Sequence, residues 1–211
     1  MKRLAFYAGL LVLALIWGGP LLTTWRDSFA AHMLAHMGVV AVASPLLAIG
    51  LADARFGLPE IPVLSSPLVA SLIDLVAVWI WHAPALREAV QQSALVGALE
   101  QASFLGAGLI LWLACLRRSG EGGLLRGTAG AFGLLFTSVH MTLLGALLTL
   151  SPRPLYGEGE ISCFGLVLSA GRDQEIGGVM MLLIGAAVYL AGGLFLLGGV
   201  LRDPAREGGA S

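Results

Sequence analysis

The sequence predicts an all-α fold, a polytopic membrane bundle of six transmembrane helices with the N-terminus cytoplasmic. Three observations carry that expectation. Hydrophobic residues make up 57% of the 211-residue chain and charged residues 12%, and the mean hydropathy of +0.88 lies far from that of soluble domains. Six apolar stretches follow one another, each near the ~20 residues that cross a hydrocarbon core. Glycine occurs 29 times, often within those stretches, where small residues let lipid-embedded helices approach closely. The whole chain, 1–211, therefore reads as one compact transmembrane domain. A net charge of −1 leaves no basic surface for nucleic acid, so that partner is not expected.

Leu4–Leu22 follows Lys2 and Arg3 like the core of a signal peptide, but no small-x-small cleavage site stands behind Trp17, so it reads as a retained first span. Further spans are expected at Ala30–Leu51, Pro67–Ala85, Ala94–Leu116, Thr128–Leu150 and Ile176–Leu201. The Pro-rich second loop and the Gly-rich fourth read as connectors, whereas Ser151–Glu175 is long enough to fold over one mouth of the bundle. Lys and Arg concentrate on the cytoplasmic side. With the N-terminus inside, Lys2, Arg3, Arg55, Arg117, Arg118, Arg126, Arg202 and Arg206 are cytoplasmic, and Arg26, Arg87, Arg153 and Arg172 lie outside. Cys115 and Cys163 then fall on opposite sides and cannot pair, and they have no C-x-x-C spacing for zinc or dithiol chemistry. Trp25, Trp79, Trp81 and Trp112 lie near span ends and read as interface anchors.

On this topology the polar residues gather in the outer half. His32 and His36 are one helical turn apart at the start of the second span, His82 ends the third, and His140 lies near the middle of the fifth. Three of the four are followed by methionine: Met33, Met37 and Met141. Imidazole with thioether is a donor set suited to soft or borderline cations, copper foremost. Ionisable residues are expensive within a span, so each one calls for a partner or a role. Glu100, beside Gln101 in the first turns of the fourth span, and Asp173, in the loop before the sixth, read as carboxylates that orient the imidazole N–H groups. The expected metal set is therefore His32, His36, His82 and His140, with Met33, Met37 and Met141 as accessory donors. The plain alternative is a hydrogen-bonded cluster that only fixes helix register. Asp74 stands apart from this group, nearer the cytoplasmic end of the third span.

The chain resembles the CtaG family of membrane proteins needed to assemble caa-type cytochrome c oxidase. The resemblance rests on Trp25 through His32-Met33-x-x-His36-Met37 to Pro45-Leu46-Leu47, on Trp81-His82-x-Pro84, on Glu100, and on Ser138 to Met141. It continues in Ser151-Pro152 to Tyr156 and in Asp173-Gln174-x-x-Gly177-Gly178 to Met181, in the family's order over nearly the whole chain. Family members are usually longer, often with seven spans, and Gln101 stands where a histidine is expected after the glutamate. The resemblance implies an assembly factor of the bacterial plasma membrane that handles copper at its outer face and meets oxidase subunits and the lipid bilayer, with self-association left open. No nucleophile with an adjacent base is apparent, so an enzyme is not expected. A membrane b-type cytochrome is the alternative, with haem held between His36 or His32 and His140. A metal permease would need polar residues continuing to the cytoplasmic face, where only Asp74 answers.

Overall fold

A computed structural model describes residues 1–51, 66–116 and 123–202. Arg55, Arg117, Arg118 and Arg206, used above to orient the chain, lie outside the described residues. The described chain is a helical bundle capped at one end by a two-stranded hairpin. Five helices are long and apolar enough to span a membrane, and one bent helix pair makes a sixth.

The first helix, α1 (Lys2–Gly18), stops before Pro20, which opens a short 3-10 turn, Pro20–Leu22. The second span is not one regular helix. It begins as α2 (Phe29–Met37), widens into a π segment (Gly38–Ala43), and resumes as α3 (Ser44–Leu51). Widening displaces carbonyls from the regular ladder, and in lipid each needs a new donor. Val39 O accepts the Ser44 hydroxyl at 2.8 Å, and Val40 O accepts both Trp112 Nε1 and Tyr189 Oη at 3.2 Å. Trp112 is therefore a buried donor as well as an aromatic near a span end.

The third span departs most from the sequence reading. Instead of a single helix over 67–85 and a loop to Ser93, α4 (Pro67–Trp81) ends at His82 and α5 (Pro84–Gln92) leaves it at 71°. Pro84 explains the break: it has no N–H to donate, it pushes Ala83 out of the helical region, and it fits the first position of a new helix. Fifteen residues of α4 give only about 22 Å of rise, short of the ~30 Å core. Along α4 the buried residues Ala70, Ser71, Asp74 and Val78 face the bundle, while Leu68, Leu72, Val76 and Ile80 form the exposed, lipid-facing stripe, as a 3.6-residue repeat requires.

The fourth span is α6 (Ala94–Leu116) and the fifth α7 (Gly123–Thr149). The last helix, α8 (Ala170–Arg202), begins six residues earlier than the sixth span was placed, because its amphipathic first turns lie over protein instead of lipid. Helices α7 and α8 pair along much of their length. Between them strands β1 (Glu160–Cys163) and β2 (Leu166–Ser169) pair antiparallel, Glu160 opposite Ser169 and Cys163 opposite Leu166. Phe164 and Gly165, both at positive φ, make the two-residue turn, the backbone hand that suits a hairpin. The loop expected to fold over one mouth of the bundle thus does so, as a hairpin packed at the start of α2.

Candidate functional site

Ser28 caps α2, its Oγ accepting the Ala31 N–H at 3.1 Å. Asp173, at the start of α8, completes the cap from across the bundle. Its carboxylate accepts the Ser28 hydroxyl at 2.7 Å and the backbone N–H groups of Phe29 and Ala30 at 2.5 and 3.3 Å. These are the orphan donors of a helix start, where a negative charge also meets the positive end of the helix dipole. Asp173 was expected to orient an imidazole; its oxygens are instead spent on this cap. The Cys163 sulfur lies 2.9 Å from Ser28 Oγ. Because the Ser28 proton goes to the carboxylate, the thiol is left to donate to Ser28, and burial, the largest influence, pushes its pKa up and keeps it in that state.

Below the cap, His32 and His36 project from one face of α2, as their spacing predicts, but they enter different surroundings. His32 Nδ1 lies 3.0 Å from Arg87 Nη1 and His32 Nε2 lies 3.3 Å from Glu100 Oε1. A guanidinium can only donate, so Nδ1 accepts and the ring proton sits on Nε2, facing Glu100. Both nitrogens are committed. Arg87 also donates through Nη2 to Arg26 O at 2.9 Å and is 4% exposed. It was expected in an outer loop; α5 turns it inward, and its place three residues after Pro84 in an amphipathic stretch was the available signal. Gln101, where the family resemblance led us to expect histidine, accepts from Trp17 Nε1 at 3.2 Å and donates to Glu100 Oε2 at 3.4 Å.

One turn deeper, the His36 ring is fully buried with neither nitrogen hydrogen-bonded. Its centroid is 5.4 Å from that of His82 and 4.0 Å from Phe104. His82 Nδ1 lies 2.7 Å from Val78 O and its Nε2 lies 3.4 Å from the Met33 sulfur. The carbonyl fixes the Nδ1–H tautomer, so Nε2 turns a bare lone pair toward a thioether that also has no hydrogen to give. His82 is held from behind by Tyr156, whose hydroxyl donates to His82 O at 2.6 Å and whose ring stacks on Phe29 at 4.3 Å. Burial pushes the Tyr156 phenol up to about 12, against the opposing effect of Arg87, so it remains a donor.

The remaining candidates lie elsewhere. His140 Nε2 is 3.6 Å from Asp74 Oδ2, both residues buried, which puts at one level two groups that the sequence reading set apart. Met141 packs toward Gly185 of α8, and Met37 is enclosed in the apolar core. The expected single pocket of four histidines gives way to three groups: His32 with Arg87 and Glu100, His36 with His82 and Met33, and His140 with Asp74. Among the described residues, no three His, Cys, Asp or Glu side chains stand at metal-ligand spacing.

The bundle and its buried imidazoles define a multi-pass membrane protein with a polar interior near one mouth. The chain belongs to the cytochrome c oxidase caa3 assembly factor family, whose profile matches residues 1–203. No curated protein and no solved structure shows significant similarity to it.

One consequence of the Tyr156 contact is directly measurable. A buried phenol with its pKa raised above the unfolded value of about 10 stabilises the fold fully below pH 10 and loses that contribution as pH climbs toward 12. Tyr156→Phe should lower stability by about 1 kcal/mol at neutral pH and flatten the alkaline loss. Denaturation in micelles between pH 8 and 12 checks this; parallel curves for the two proteins would refute it.

Proposed function

We propose that this assembly factor of the bacterial plasma membrane receives copper at the outer mouth of its bundle and passes it to an oxidase subunit. His36, His82 and Met33 form the transfer site. The observation that carries the reading is the meeting of His82 Nε2 and Met33 Sδ at 3.4 Å with no proton between them, beside a His36 ring with no hydrogen bond. With bonds of about 2.0 Å to nitrogen and about 2.3 Å to sulfur, as for a borderline cation, that separation subtends about 105° at the metal, near tetrahedral. Two neutral imidazoles and a thioether suit cuprous ion, and their small number suits release. His32 is excluded from the set by its guanidinium partner, which repels a cation and occupies Nδ1. Copper is cargo in this reading, and the protein supplies ligands, a dry pocket and a fixed tautomer.

The test is cuprous-ion competition on the detergent-purified chain. Wild type should take one ion, His36→Ala and His82→Ala should each weaken binding at least tenfold, and His140→Ala should leave it within twofold. Equal copper in wild type and the His36→Ala, His82→Ala double variant would reduce the protein to a scaffold. Sharp reduced bands in the visible spectrum of the same preparation would replace the copper reading with the haem alternative.

A further inference from the structure

A cavity of about 720 Å³ opens between the end of α1, the start of α2, α5 and α6, next to the copper pocket but separate from it. Its walls are apolar and smooth: Leu21 and Val90 face Ala94, Gly97 and Ala98, which recur at helical spacing along α6. Its polar side holds Arg26 and Arg87 together with the His32–Glu100 pair. Neither arginine has a carboxylate within 4.0 Å among the described residues. Arg26 donates to Gln91 O, and Arg87 to Arg26 O and His32. Arg87 Nε, buried with the rest of its side chain, has no partner. Two guanidinium charges therefore stand at the rim of an apolar cavity without an ion-pair partner; Glu100, which already faces His32, and Asp173 and Asp27 act on Arg87 only at longer range. A cation lacking a paired carboxylate is expensive in a lipid-facing protein, and a bound anion would supply the missing partner. Water-soluble anions do not fill the walls; an amphiphile does both.

We infer that this cavity binds one anionic phospholipid of the adjoining leaflet, its phosphate on Arg26 and Arg87 and its acyl chain against the Ala94–Gly97–Ala98 face of α6. The volume is that of an ordinary ligand pocket, and a guanidinium pair matches phosphate oxygens in charge and hydrogen-bond geometry. The bend at Pro84 creates the site, since α5 running straight on from α4 would carry Arg87 and Val90 away from α6. This inference is independent of the copper reading.

Native mass spectrometry of the full-length chain, purified in detergent and titrated with phosphatidylglycerol or phosphatidylcholine, tests it. Phosphatidylglycerol should bind as a single copy at least tenfold more tightly than phosphatidylcholine, and glycerophosphate without chains should not bind. Arg26→Gln should erase most of the preference between the two head groups. Gly97→Leu needs no rearrangement, because a Cβ there meets only Val90 at 3.7 Å; it should fill the cavity and abolish the single-copy adduct while the far-ultraviolet circular dichroism stays unchanged. Equal binding of the two lipids, an adduct that survives Gly97→Leu, or binding of glycerophosphate alone would each overturn the assignment.

Discussion

Asp173→Ala should be the most damaging single substitution at the polar mouth of the bundle. The carboxylate satisfies three donors, the Ser28 hydroxyl and the N–H groups of Phe29 and Ala30, all in buried residues. Each buried donor left unpaired costs about 1–3 kcal/mol, and in place of water this region offers apolar side chains and lipid. The loss should be at least about 3 kcal/mol, with α2 fraying from Ser28 inward. Asp173→Asn keeps one acceptor oxygen and should lose about half as much. Unfolding in mixed micelles, followed by tryptophan fluorescence, gives both numbers. An alanine variant within about 1 kcal/mol of wild type would mean that the cap is supplied some other way. On the proposed copper reading, affinity for the ion should fall in parallel, since Met33 and His36 ride on the helix that this contact anchors.

Gly178→Leu should separate α7 from α8. A Cβ at Gly178 would lie 2.4 Å from Thr149 Oγ1, 2.8 Å from Thr149 N and 2.9 Å from Gly145 O. Gly145 reciprocates, its Cβ position falling 2.8 Å from Gly178 O. Two of the three obstacles to Gly178 are backbone, so the helices themselves must part. Within lipid there is no hydrophobic drive to hold them, and association rests on van der Waals contact and short polar contacts between the backbones. Overpacking here should cost about 3 kcal/mol, reported by loss of the monodisperse peak in size-exclusion chromatography after mild heating. Gly106→Leu, at a position with open space around its Cβ, is the control and should behave as wild type. A Gly178→Leu protein as heat-stable as that control would show that the pair can be parted at no cost.

Much of this architecture was legible from hydropathy, because crossing lipid leaves few alternatives to helices of span length. The fourth span agrees end for end with α6, since polar residues flank it in sequence and it holds no proline. The third was misread because α4 and α5 share one apolar run. Only the backbone geometry of Pro84 produces the 71° turn, and hydropathy carries no trace of it. The second span hid its π segment, which leaves no trace in a Val- and Ala-rich stretch.

For the polar residues, sequence told which were costly but not whom they meet. His32 and His36 do share a helix face, yet one meets a guanidinium and the other a second imidazole. That difference is set by α5, which had been read as a loop. Asp74 and His140 come within 3.6 Å because depth in the bundle depends on tilt and on where each helix starts, and counting residues from span ends captures neither. The role of Asp173 followed from chain connectivity: a loop that folds back over the mouth brings its carboxylate to the nearest unfilled helix start.

That same connectivity imposes an order on biogenesis. The polypeptide leaves the ribosome N-terminus first, so His36, Met33 and His82 enter the membrane well before Tyr156 and Asp173, the two residues that brace them from outside their own helices. Until α8 is threaded, these residues sit on an α2 capped by Ser28 alone and on an unbraced α4 terminus. On the proposed copper reading, a chain that has not yet inserted α8 is therefore a poor competitor for the ion.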